Sequence, residues 1–204
     1  MGNIAKAVKH LFRSYEKEPN VDVLFEISEI YFEAEEYQKS IQFLKRVLCH
    51  DDSNVEALSK IALAYLDTSH WHDAIEYAQK TLEISKKVPE AYVTLAEAHF
   101  QLEREYENAL KIIDEGISEN PESIELWVKK GRFSYPYHQL AFRKSYEKAI
   151  SLNPSDKSIY REYIFLLMMD EDLEAAKKQY NEMLLYNPLF EKSFQELYDE
   201  WFSW

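Results

Sequence analysis

Three tetrads in the second half of the chain read almost alike: Ser118-Glu119-Asn120-Pro121, Ser151-Leu152-Asn153-Pro154 and Leu185-Tyr186-Asn187-Pro188. Their prolines are 33 and 34 residues apart. Proline lacks a backbone N–H, so each tetrad closes one helical pattern and lets another begin. Carried outward, the period defines units starting at Val21, Val55, Pro89, Ile124 and Lys157, with a half unit from Glu191. A segment of this length rarely folds alone, so neighbouring units must share a core.

The units agree in detail. Their fourth places hold Leu24, Leu58, Tyr92, Trp127, Tyr160 and Phe194, and their seventh Ile27, Ile61, Leu95, Tyr163 and Leu197, with Lys130 as the exception. The eighth is small in Ser28, Ala62, Ala96 and Gly131, but bulky in Ile164 and Tyr198. Offsets of three and four share one helix face. A second helix then opens on Ser40, Ala74, Ala109, Phe142 or Ala176, followed four places on by Leu44, Ala78, Ile113, Tyr146 or Tyr180. Two antiparallel helices approach closely only where side chains are small, and bulky neighbours interlock around those points. With only three glycines in 204 residues, hairpin-rich β folds and glycine-rich phosphate loops are disfavoured.

This pattern resembles the tetratricopeptide repeat, a helix–turn–helix of 34 residues. The resemblance implies an all-α, right-handed superhelical solenoid of stacked antiparallel helix pairs, about five repeats with a flanking helix at each end. One domain is expected over 1–204: an N-terminal helix at 4–18, repeats at 21–54, 55–88, 89–123, 124–156 and 157–190, and a C-terminal capping helix at 191–204. Ala7, Leu11 and Ser14 fall in second-helix places, which puts them on the packed face of the first helix. The third unit carries an extra residue in its turn, Gln101 to Glu105. The fourth is one residue short, with Pro136 ending its first helix near Tyr135 and Phe142 at a normally small site.

Charge narrows the class of partner. Thirty-seven acidic against 24 basic side chains leave a net charge of −13, which repels phosphate backbones and anionic lipid. Neither nucleic acid nor membrane is expected as a partner. Cys49, the only cysteine, cannot form an internal disulfide and reads as a small buried residue late in a helix. Lys6, Lys9 and His10 interrupt any apolar leader, so a cytoplasmic location is the expectation.

In the tetratricopeptide family, first helices line a concave groove that binds peptides. Transferred by place, the resemblance implies a groove of Phe25, Glu29 and Phe32, then Lys60 and Leu63, then Val93, Glu97 and Phe100, continuing through Lys129, Arg132, Arg161 and Phe165. Residues 89–123 hold nine acidic side chains against Arg104 and Lys111, whereas residues 124–156 hold three against six basic ones. A ligand is therefore expected to set its basic part toward the first three repeats and its acidic part toward Lys129, Arg132 and Arg161. The clamp with which co-chaperones of this family hold the carboxylate tail of heat-shock chaperones is absent, because its places hold Phe25, Glu29, Lys60, Glu90 and Thr94.

Nothing in the chain reads as chemistry. His70-Trp71-His72 offers two ligands where a structural zinc site needs four, and two Ser-x-x-Lys spacings fall on second helices without supporting motifs. No catalysis, metal or cofactor is expected. The resulting expectation is a protein-binding adaptor or scaffold that takes a peptide or protein ligand. A chaperone for an aggregation-prone secreted or motility subunit, or a regulatory module of a larger enzyme assembly, stands as the alternative. At the C-terminus, Trp201, Phe202 and Trp204 either fold back onto the fifth unit or self-associate.

Overall fold

The computed structural model describes residues 2–104, 106–135, 137–190 and 192–202, with no strand among them. The chain divides into two compact units, Met1–Pro121 and Glu122–Trp204. The first contains α1 (Gly2–Lys17), α2 (Val21–Glu33), α3 (Tyr37–His50), α4 (Val55–Asp67), α5 (Trp71–Ile84), α6 (Pro89–Glu103) and α7 (Tyr106–Glu119). The second contains α8 (Ile124–Ser134), α9 (Gln139–Leu152), α10 (Lys157–Met169), α11 (Leu173–Tyr186) and α12 (Phe194–Phe202). Within each unit, sequential helices pack in adjacent pairs, so the fold is all-α and built from helix pairs.

Helix starts follow from local chemistry. The side chains of Asn20, Asn54, Ser123, Asp156 and Asp172 each accept a first-turn backbone N–H, a cap worth about 1 kcal/mol. Pro89 instead occupies the first turn of α6, where its missing N–H costs nothing. At the other end, the N–H groups of Asn120, Asn153 and Asn187 close onto the carbonyls of Gly116, Ala149 and Met183. Each of these asparagines precedes a proline, which cannot continue the helix.

The turn inside a pair uses a different device. Glu35, Ser69, Arg104 and Glu171 all adopt left-handed backbone, with φ of 58, 61, 57 and 59°. In the fourth pair Tyr135 remains right-handed, and the Pro136 expected to end that helix lies outside the described residues.

The core sits at the repeated places. Leu24, Ile27 and Ser28 of α2 are buried with Ser40, Leu44 and Val47 of α3, and Ile61 and Ala62 of α4 with Ala74, Ala78 and Thr81 of α5. In the second unit Phe142 fills a site that is small elsewhere, is fully buried, and meets Tyr146, Tyr163 and Tyr135 edge-on. Two local expectations fail. Ala7 and Ser14 are exposed, and α1 buries Val8 instead. On α1, Phe12 and Tyr15 clasp the Arg46 guanidinium at 5.5 and 5.2 Å. Cys49 is exposed rather than buried, because the last turn of α3 turns it away from the face held by Val47.

Candidate functional site

In the first unit, α2 and α4 are joined by an ion pair. Lys60 Nζ lies 2.7 Å from Glu29 Oε1, and 5.4 and 6.0 Å from the ring centroids of Phe25 and Phe32. Phe32 in turn meets Tyr37 edge-on at 5.2 Å. Four predicted site residues thus form one cluster in which two rings flank a neutralised charge. Beside it, between α4 and α6, lies a cleft of ≈ 440 Å³ lined by Val55, Glu56, Ser59, Lys60, Leu63, Val88 and Glu90. Its wall is mainly aliphatic, with a carboxylate from each helix.

The same face ends in a group of acids. The Asp67 carboxyl is raised above the usual carboxylate value by burial, with the charges of Glu97 and Glu35 adding to it and a hydrogen bond with Tyr37 opposing. Burial and the same Asp67 charge push the Tyr37 phenol up. Val93 does not belong to this surface: it is 6% exposed and part of the interior. Phe100 is half-buried, and the Arg104 guanidinium lies 5.9 Å from its ring.

In the second unit, Arg132 of α8 makes a two-pronged contact to Glu162 of α10. Its Nε reaches Oε1 and its second terminal nitrogen lies 2.6 Å from Oε2. The buried Tyr146 hydroxyl donates to the same Oε1 at 2.5 Å. Burial works against the charged form of Glu162, but the hydrogen bonds from Arg132 and Tyr146 outweigh it and hold the carboxyl below its ordinary value. Lys129 and Arg132 line a cleft between these helices with Val128, Ser158 and Ile159. Arg161 lies 5.9 Å over the Trp201 ring. Phe165 meets Trp201 edge-on at 5.5 Å and stacks on Phe202 at 5.9 Å, so α12 covers part of the predicted surface. Trp204 lies outside the described residues.

Sequence reasoning named both Glu29 and Lys60, and Arg132, but paired none of them. The signal was present: in both ion pairs the ninth place of one repeat meets the sixth of the next, with the signs exchanged between the units. Tyr146 was read only as core, yet its hydroxyl orients Glu162. Among the described residues, no group of three or more His, Cys, Asp or Glu side chains could hold a metal ion, and no helix is long and apolar enough to cross a membrane.

Paired helices with small residues at each crossing and a side-chain-lined face on the first helices define a class, the helical-repeat proteins. Residues 59–124 match the model of the tetratricopeptide repeat family. No curated protein matches the chain. Among solved structures, a tetratricopeptide repeat protein from Parabacteroides merdae is 18% identical, with a TM-score of 0.70 over 97% of this chain and 77% of its own. A thermophilic tetratricopeptide repeat protein from Thermus thermophilus is 20% identical, with a TM-score of 0.67 over 90% of this chain and 98% of its own. YrrB, described as a tetratricopeptide repeat protein with an unusual peptide-binding site, is 13% identical, with a TM-score of 0.57 over 93% and 96%. The family match covers residues 59–124, and the solved structures share the fold of paired helices over most of the chain.

Proposed function

We propose that this protein is an interaction scaffold that binds a peptide segment of a partner on the face carried by α2, α4 and α6. The fold supports a role in protein–protein interaction, and the cleft beside Lys60 and Leu63 carries the finer reading. An aliphatic recess edged by a few polar groups is the usual form of a binding site. Here Val55, Leu63 and Val88 supply the recess, while Glu56, Ser59 and Glu90 supply the polar edge. Arg132 in the second unit is already committed to Glu162, so it offers less to an acidic ligand than its sequence suggests.

The test is a comparison of ligand capture by the unaltered chain, by Leu63→Arg, and by Lys80→Glu on an exposed part of α5. A ligand retained by the first and third and lost by the second supports the reading. Equal capture by all three removes it.

A further inference from the structure

Resting on that reading of the α4–α6 cleft, we infer that the segment it receives is cationic and amphipathic: a lysine or arginine beside a bulky apolar residue.

Charge on the three first helices of this unit is one-sided. Helices α2, α4 and α6 carry Asp22, Glu26, Glu29, Glu33, Glu56, Asp67, Glu90 and Glu97 against one Lys or Arg, Lys60. Glu29 already neutralises Lys60 at 2.7 Å, so seven acids remain in excess. The other basic residues of the unit lie on α1, α3, α5 and α7 or in turns. An excess of that kind on one set of helices is not needed for stacking, since like charges along a shared face repel.

The cleft gives this charge a shape. Glu56 and Glu90 stand on the two flanking helices, with Val55, Leu63 and Val88 between them. An apolar side chain seated on the three aliphatic residues brings a neighbouring ammonium or guanidinium within reach of both carboxylates. Charge-assisted hydrogen bonds of that type are about twice as strong as neutral ones. An anionic segment meets repulsion in the same place, and a neutral one leaves both carboxylates facing a partly dehydrated interface without a counter-charge. At the far end of the face, a cation near Asp67 relieves the repulsion that Glu97 and Glu35 impose on it.

Short random peptides displayed for selection against the full chain test the inference. Enriched sequences should pair Lys or Arg with a large apolar residue. The strongest of them, made synthetically, should lose affinity as salt rises. It should bind roughly tenfold or more weakly to the Glu56→Lys/Glu90→Lys variant, the scale of one lost charge-assisted contact. Circular dichroism that matches the unaltered chain shows that the variant is folded, and the conservative Glu56→Gln/Glu90→Gln pair serves if it is not.

Selected peptides that are acidic or neutral, yet are released by Leu63→Arg, overturn the cationic ligand and leave the groove reading intact. Failure of any selected peptide to respond to Leu63→Arg removes the groove reading itself. Concentration-dependent dimerisation abolished by the same charge reversals would make a second copy of this chain the occupant and overturn the proposal.

Discussion

Gly131 of α8 lies against the ring of Tyr146 on α9. A Cβ built at residue 131 would stand 2.6 Å from Cε2 and 2.8 Å from Cδ2 of that ring. The ring cannot easily yield, because it stacks on Tyr163 at 5.0 Å and meets Phe142 edge-on at 5.5 Å, while its hydroxyl is fixed by Glu162.

Gly131→Ala should therefore destabilise the second unit despite better helix propensity. The substitution gains about 1 kcal/mol in the helix, against about 1–3 kcal/mol for displacing a packed ring. Urea denaturation should show a lower midpoint, and Tyr146→Leu introduced with Gly131→Ala should recover part of it. A stabilised Gly131→Ala would mean that the ring moves freely.

Stability of the same region should decline at both ends of the pH scale. Glu162 is held below its ordinary 4.5, so its contribution is complete above that value and is lost as pH falls through the lowered one. On the alkaline side, burial pushes Tyr163 up from 10.0 to about 12, with the Glu147 charge adding to it, and raises Tyr146 further. Their stabilisation is complete below 10.0 and is lost as pH rises through the folded values. In urea titrations at several pH values, Glu162→Gln should flatten the acidic limb and weaken only the Tyr146 part of the alkaline limb, leaving the Tyr163 part in place. An unchanged acidic limb would show that Glu162 does not control it.

Ser69 adopts φ of 61° in the turn between α4 and α5, a conformation that costs a residue with a Cβ about 1–2 kcal/mol. Ser69→Gly removes that cost while adding entropy to the unfolded chain, for a net gain of about 0.5–1 kcal/mol. Ser69→Val, β-branched, should lose about 1 kcal/mol or more at the same place. Thermal midpoints that rise for Gly and fall for Val check the geometry, and the same ordering is expected at Glu35 and Glu171.

These turns also mark where the sequence was legible. Small residues at recurring places, such as Ala62 packed with Ala78, announce helix pairs because close approach permits little else. Glu35 and Ser69 gave no such signal, since left-handed backbone is usually written as Gly or Asn and here is imposed by the pair on either side. Val93 was read as surface from its place in the repeat, yet stacking within the unit buries it. Ala7 and Ser14 were placed by periodicity on the packed face of α1, but the helix turns Val8 inward and leaves both exposed. That Glu29, Lys60, Arg132 and Glu162 lie on first helices was legible by place. Their commitments were not, because Glu29–Lys60 and Arg132–Glu162 join residues of successive repeats that a single-repeat pattern does not connect.

The last helix should act as the cap of the second unit rather than as a free aromatic tail. Leu197 is fully buried, Phe194 meets Tyr180 edge-on at 5.7 Å, and the Tyr180 hydroxyl donates to the Lys192 carbonyl at 2.9 Å. Trp201 and Phe202 close over Phe165. Deleting residues 191–204 uncovers Phe165, Tyr180 and Met183 together, and exposed apolar patches of that kind drive association. Trp201→Ala alone removes one ring contact and the cation over it, for about 1–3 kcal/mol. Sedimentation across a wide concentration range should then find self-association in the truncated chain and little in the full one, with a lower urea midpoint for both variants. If the full chain associates and truncation abolishes it, the aromatics serve a second copy and the intramolecular cap is the wrong account of them.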